Sequence, residues 1–325
     1  MKICVFGAGA VGGHLATRLA KGGADVSVVV RGANLEAIRA RGLTTRALDG
    51  EHHARVQATG DAAELGPQDA VLVTVKAQAQ PAIAESIRPL LGPDTFVAFV
   101  MNGIPWWYFD RHGGPLDGTR LAELDPGEAI RSAVGVERTV GGVVHSATTV
   151  IEPGVVQAVN AFNKLILGEP DGSPSPRAER VCEIIRRGGM EAEVTRSIRQ
   201  EVWAKLAGGL ANAPVCVLSR KDIADTYADP VIRAAALRIL KEALSVARAL
   251  GIEVKLDPAT RIEQLSNFRH KPSILQDLEL GRPMEVEAQL LAPLRLARLA
   301  GVETPTLDLM VALAKAAAEA AGLHR

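Results

Sequence analysis

Cysteine is scarce: the three in 325 residues, Cys4, Cys182 and Cys216, are odd in number and far apart. They make neither a disulfide framework nor a C-x-x-C metal site, and a reducing, cytoplasmic setting is the expectation. A surplus of one charge is missing too, since 37 Lys and Arg balance 37 Asp and Glu. The chain lacks the field that gathers nucleic acid or an anionic membrane, and neither is expected as a partner. Uninterrupted apolar runs such as Phe96 to Met101 fall far short of the roughly 18 residues of a spanning helix, so no membrane span is expected. The N-terminal apolar run breaks at Gly7, too early for a signal-peptide core, and the mature chain is expected to start at Met1. The histidines, including His52, His53, His112, His145 and His270, show no metal-ligand spacing, and no metal is expected. Aromatics supply only 3% of residues against 47% apolar ones, the composition of an Ala/Val/Leu-rich globular enzyme.

A chain of 325 residues is long for one core, so two domains are expected. Strand-like and helical runs alternate through the first half: Ile3 to Phe6, helix Val11 to Lys21, Val26 to Val30, helix Leu35 to Arg41, Ala70 to Val75, helix Pro81 to Leu91, Phe96 to Met101. That rhythm predicts a mostly parallel sheet in an α/β domain. Between Ala133 and Leu167 the runs shorten, which predicts an antiparallel extension of the same sheet. The Gly/Pro/Ser-rich stretch from Gly168 to Pro176 reads as a boundary loop, giving domains 1–170 and 171–325. Helical periodicity fills the second, in Arg177 to Arg187, Ile198 to Leu218, Val231 to Leu250, Pro258 to Asn267, Val286 to Ala300 and Thr306 to Leu323. Pro230 opens a helix, Gly251 and Gly301 end helices, and Thr306 is the expected cap of the last. An apolar helical face there can close a domain seam or a homodimer. The cluster Trp106-Trp107-Tyr108-Phe109 can wall a site or pack a seam, and the seam is favoured.

The run Gly7-Ala8-Gly9-Ala10-Val11-Gly12 directly follows a strand and opens a helix. Glycines there permit a tight turn, close backbone approach to a pyrophosphate and close helix packing, while the helix N-terminus offers free N–H groups. Dinucleotide binding follows. The second strand runs into Arg31, with no acid before Glu36, which favours a 2′-phosphate and NADP(H) over the ribose hydroxyls of NAD. Ligands of such sheets lie beyond the carboxyl ends of the strands, where Lys76 and Asn102 follow the next two strands.

Met1-Lys2-Ile3 through Gly12, Arg31, Val73-Thr74-Val75-Lys76-Ala77, Met101-Asn102-Gly103, Glu201 to Leu206, and Lys271 to Asp277 with Met284-Glu285-Val286 together resemble the ketopantoate reductase (2-dehydropantoate 2-reductase) family. The resemblance spans nearly the whole chain. It implies a Rossmann-type domain followed by an all-α domain like that of 6-phosphogluconate dehydrogenase, a place in pantothenate biosynthesis, and NADPH-dependent reduction of a small 2-oxo acid in the cleft between the domains. It further implies Lys205 as general acid, Glu285 as the acidic residue holding the lysine or a substrate hydroxyl, Ser273 at the substrate carboxylate, Asn102 between nicotinamide and substrate, and Lys76 near the cofactor. An apolar helix around Lys205 would lower its pKa into acid–base range.

The chain departs from the family where substrate is read. The asparagines that the family carries four and eight residues after its lysine are Gly209 and Ala213 here, and the nearest amide is Asn212, about 100° around the helix. A reductase of a different 2-oxo acid or ketone therefore stands beside the ketopantoate reading. A non-catalytic NADP-binding redox sensor is the reading of another class, though it would need neither Lys205 nor Glu285.

Overall fold

The computed structural model describes residues 1–159 and 162–324. Contacts group the chain into two compact units, Met1–Met101 with Pro105–Ile198, and Asn102–Ile104 with Arg199–Arg325.

The first unit is built on β1 (Lys2–Phe6), whose Ile3, Cys4 and Val5 are wholly buried, as befits a strand covered on both faces. There follow α1 (Ala10–Lys21), β2 (Asp25–Val29), α2 (Gly32–Arg41), β3 (Leu43–Ala47), β4 (Gly50–Ala54), β5 (Gln57–Thr59), β6 (Gln68–Val73), α3 (Ala84–Ile87) and β7 (Leu91–Val100). The unit ends with α4 (Ala129–Val134), β8 (Thr139–His145), β9 (Thr148–Glu152), β10 (Val155–Ala158), β11 (Lys164–Gly168), α5 (Pro176–Arg187) and β12 (Glu191–Val194). The main sheet has the order β12-β11-β8-β7-β6-β1-β2-β5. Its pairs are parallel except β8 with β11. Strand order reverses at β1, flanked by β2 and β6. The carboxyl end of β1, where the glycine run begins, is thus the crevice such a sheet opens to ligands.

Three expectations are corrected here. The shortened runs do not all extend the main sheet: β11 does so antiparallel to β8, whereas β9 and β10 join β3 and β4 in a second sheet ordered β4-β3-β10-β9. That sheet covers α1, so Gly12 through Leu19 are buried without a break. Thr17 Oγ1 of α1 meets Thr45 Oγ1 of β3 at 2.7 Å. The expected helix Pro81 to Leu91 is broken into 3-10 turns around the short α3, with Pro89 in the last of them. The segment 171–198, assigned by sequence to the second domain, packs with the first unit because β12 pairs with β11 and α5 buries Val181, Cys182 and Ile185 in the same core.

The second unit is helical, as expected: α6 (Ile198–Ser219), α7 (Ile223–Tyr227), α8 (Pro230–Ala249), α9 (Pro258–Ser266), α10 (Ser273–Glu279), a π-helical turn (Glu287–Leu291) leading into α11 (Ala292–Leu299), and α12 (Pro305–Ala320). Asp229 caps α8 ahead of Pro230 through the N–H groups of Val231 and Ile232. The N-terminus of α12 is capped by Glu242 of α8, which accepts from Thr306 N at 3.1 Å and Leu307 N at 2.8 Å, and not by the Thr306 hydroxyl. Among the described residues, α6 is the one helix long and apolar enough to cross a membrane by length and composition. Its apolar content is spread between polar residues such as Lys205, so no uninterrupted run announces it. Within the fold, 72% of its apolar window is buried, which is the pattern of a core helix. The aromatic cluster packs inside the first unit: Trp106 meets Phe99 edge-on at 5.5 Å, and the Arg131 guanidinium lies 5.0 Å from the Trp106 ring. Trp107 fills the space a Cβ on Gly141 would need.

Candidate active site

The glycine run forms the turn its spacing predicts. Gly7 has a φ of +105°, and a Cβ there would lie 2.7 Å from the Val75 side chain. A Cβ on Gly12 would lie 2.0 Å from the Gly7 carbonyl oxygen and 2.4 Å from Thr74 Oγ1, so β1 and α1 approach more closely than any other residue permits. A Cβ on Gly9, by contrast, would meet nothing within 4 Å. The middle glycine faces open space, and no side chain caps the N-terminus of α1 behind it. Backbone N–H groups at an uncapped helix start, fronted by exposed glycine, fit a pyrophosphate. Ala8, Ala10 and Val11 complete the turn. Thr74, which the sequence reading passed over, locks it from below by donating its hydroxyl to Gly7 O at 2.6 Å. Its signal lay in the strand-end run already examined for Lys76.

Lys76 follows Val75, the residue packed against Gly7, and starts the 3-10 turn Ala77–Ala79. Arg31 stands at the start of α2 with an extended backbone (φ −128°, ψ 164°), exposed and without a hydrogen bond or ion pair among the described residues. Its guanidinium stands two residues past the end of β2, where a cofactor's ribose end would lie.

The second constellation lies in the helical unit. Lys205 projects from α6 between the buried Trp203 and Leu206, and its Nζ donates to Asn102 Oδ1 at 2.7 Å. The two residues are 103 positions apart in sequence. Burial lowers the Lys205 pKa from 10.5 to about 8, and the Glu285 carboxylate opposes that fall. Glu285 is itself buried, and its Oε2 accepts from Gln289 Nε2 at 3.0 Å.

The loop carrying Asn102 is pinned by its neighbours. Gly103 has a φ of +83°, and a Cβ there would lie 2.3 Å from the Ala288 carbonyl oxygen. Ile104 N donates to that same oxygen at 2.9 Å. Ala288 sits in the π-helical turn, whose wider winding turns a carbonyl outward to take this donor. Gly103, Ala288 and Gln289 were not singled out by sequence. Gln289 is four residues after Glu285, a helical spacing that carried the signal; the π-turn carries none.

Four other residues are placed without being joined to this group. Ser273 is the exposed first residue of α10, and its hydroxyl makes no hydrogen bond among the described residues. Asn212 is buried, and its Oδ1 accepts the Tyr227 hydroxyl at 2.6 Å, so only its Nδ2 is left for the substrate contact expected of it. Ala213 is buried, while a Cβ on Gly209 would meet nothing within 4 Å: the turn of α6 after Lys205 is open. An ammonium with a pKa of about 8, aimed by an amide oxygen and faced by a carboxylate, can deliver a proton to an oxyanion near neutral pH.

Comparison with known proteins finds matches over both parts of the chain. The family model Ketopantoate reductase PanE/ApbA matches residues 3–172, and Ketopantoate reductase PanE/ApbA C terminal matches residues 197–318. A 2-dehydropantoate 2-reductase of Mesorhizobium japonicum is 42% identical, covering 100% of both chains. A crystal structure from Ralstonia solanacearum MolK2, of a protein provisionally named a ketopantoate reductase, superposes with a TM-score of 0.92 at 37% identity over 99% of this chain and 98% of that one. The 2-dehydropantoate 2-reductase of Geobacter metallireducens GS-15 has a TM-score of 0.85 at 27% identity, over 98% of this chain and 100% of that one. With both family models matched in order and a full-length relative at this identity, the chain belongs to the ketopantoate reductase family and is an oxidoreductase acting on CH–OH groups.

Proposed function

We propose that the protein reduces a 2-oxo acid, 2-dehydropantoate or a close analogue, with NADPH, and that Lys205 is the general acid. The observation that carries this reading is the Lys205 ammonium, lowered to a pKa of about 8 and held 2.7 Å from Asn102 Oδ1. The glycine turn, Arg31 and Lys76 are the residues that would hold the cofactor. When bound, the nicotinamide supplies the hydride. Hydride addition to the ketone leaves charge on its oxygen, and Lys205 Nζ stabilises that charge and passes its proton there. Asn102 orients the ammonium. Glu285 keeps it protonated by opposing the loss of charge that burial favours. At pH 7 a group with a pKa near 8 is roughly nine-tenths protonated, ready to donate.

Replacing Lys205 with Met is expected to lower kcat by about a hundredfold or more while NADPH still binds, as measured by NADPH oxidation and by cofactor titration. Near-normal turnover would move catalysis to another residue. A second substrate reading is favoured by the open turn at Gly209. Without an amide there, a hydroxyl-bearing ketone such as ketopantoate loses a partner, at a cost of roughly 1 to 3 kcal/mol. A panel of 2-oxo acids, with and without that hydroxyl, compared by kcat/KM decides between the two.

A further inference from the structure

The open turn after Lys205 has a cation beside it. Arg261 lies in α9, whose start is fixed by Asp257 accepting from Thr260 N at 2.7 Å and whose Ile262 and Leu265 are buried. These anchors lay the Arg261 side chain over α6. Its Nε and Nη2 each come within 3.6 Å of the place a Cβ on Gly208 would occupy. Gly208 is three residues after Lys205, on the adjacent turn of the same helix. The next residue is Gly209, with nothing within 4 Å of its missing side chain. Two consecutive glycines in the middle of a helix weaken it, and here they admit a guanidinium on one side and leave a vacant space on the other.

That guanidinium has no counter-charge. Arg261 Nε is shielded from solvent and has no hydrogen-bond partner, and no ion pair reaches the side chain among the described residues. Its near neighbour of titratable type is Tyr227, whose hydroxyl is spent on Asn212 and on the Ala211 carbonyl oxygen at 3.2 Å, and whose buried phenol is held neutral. Desolvation lowers the Arg261 pKa from its ordinary value. A half-buried cation whose Nε is shielded, with no carboxylate to answer it among the described residues, is a group that a ligand anion can complete.

Resting on the reductase reading above, we propose that Arg261 is the residue that binds a carboxylate of the 2-oxo acid, across the Gly208–Gly209 step, where an amide would serve a hydroxyl. A guanidinium offers a carboxylate two parallel N–H donors, and such a pair is stronger than a neutral amide contact. The site is thereby biased toward acidic substrates and away from a neutral hydroxylated side chain. The carboxylate is either the one next to the ketone or a second one on the side chain, and the experiment separates them.

The test compares the parent with Arg261→Met and Arg261→Lys, each saturated with NADPH. KM and kcat are measured for a 2-oxo monoacid (2-oxoisovalerate) and a 2-oxo diacid (2-oxoglutarate). Binding of oxamate, an unreactive mimic of a 2-oxo acid, is followed by thermal shift in the presence of NADP+. Arg261→Met is expected to raise KM for the diacid at least tenfold with little change in kcat, to melt no lower than the parent without ligand and, where Arg261 holds the carboxylate next to the ketone, to abolish the oxamate shift as well. Arg261→Lys is expected to restore part of the binding. A KM rise for both acids places the carboxylate next to the ketone at Arg261, and a rise confined to the diacid places the second one there; either supports the proposal. An unchanged KM with the oxamate shift intact overturns it, as does a lowered melting temperature with binding untouched. If the parent binds oxamate through Arg261 but oxidises no NADPH with any 2-oxo acid, the reductase reading fails while the anion site stands.

Discussion

Two arginines packed against helices are treated in opposite ways. Arg18 of α1, 2% exposed, leaves its Nε without a partner as Arg261 does, but its terminal nitrogens are answered: Asp49 accepts from both at 2.7 Å, and the carbonyl oxygens of Gly188 and Gly189 lie at 3.2 and 3.4 Å from Nη1. His52 Nε2 adds a 3.1 Å contact to Asp49. Arg261 of α9 has no acceptor at all among the described residues. The first arrangement ties α1, the β3–β4 turn and the end of α5 together, and it holds Asp49 well below the usual carboxylate range through the Arg18 hydrogen bond. The second leaves a charge unsatisfied. Both guanidinium groups leave Nε without a partner, and the difference lies at the terminal nitrogens, which Asp49 answers at Arg18 and no carboxylate among the described residues answers at Arg261, the group beside Gly208.

The contrast is broken most forcefully by Asp49→Ala, which strands the Arg18 charge inside the first unit. A loss of about 3 kcal/mol is expected, seen as a melting temperature lower by roughly 10 °C, whereas Arg261→Met should melt no lower than the parent. Equal melting of Asp49→Ala and parent would show that Arg18 does not depend on its carboxylate. Arg31, exposed and equally unpaired, extends the comparison to the cofactor. Replacing it with Ala is expected to raise the KM for NADPH about tenfold and to leave NADH nearly unaffected, since only NADPH carries the phosphate it would pair. Similar losses with both cofactors would remove the phosphate assignment.

The smallest effect is on pH dependence. The proposed role of Lys205 requires its acid form, so kcat is expected to fall as pH rises through about 8. Glu285 raises that pKa, and Glu285→Gln removes the opposition to desolvation. The alkaline limb of the kcat profile should therefore move to lower pH; a limb that stays in place or moves up would show that the carboxylate does not act on the lysine.

Much of this was legible in sequence, and what was not has physical reasons. The long helices α6, α8 and α12 have full turns of apolar periodicity, and β1, β6 and β7 each carry an apolar run to their carboxyl ends, so burial writes itself into their composition. β3 and β4 read Leu43-Thr44-Thr45-Arg46-Ala47 and Gly50-Glu51-His52-His53-Ala54, too polar to stand out, because the small sheet is covered on one side only. The domain boundary was set early because α5 has the same amphipathic pattern whether it packs on a sheet or on other helices. Gly7 and Gly12 sit in the tight turn that their spacing implied, whereas the contact of Lys205 with Asn102, 103 positions apart, has no sequence pattern. Arg261 was invisible for a different reason: what marks it out is the absence of a neighbour, and absence of contact has no sequence pattern.

The π-helical turn bears on the cost of reaching the reactive geometry. Because the Ala288 carbonyl holds Ile104 N, and Gly103 fits against the same carbonyl with no room for a side chain, the Asn102 amide is set in place by backbone contacts before any substrate arrives. The lysine then has one orientation already chosen for it, so the rotational freedom of a long, flexible side chain has been given up during folding instead of at each turnover. A helix wound less tightly than its neighbours thus works as a jig for the Lys205 ammonium, and under the proposed role of that lysine its irregular winding belongs to the chemistry as much as to the fold.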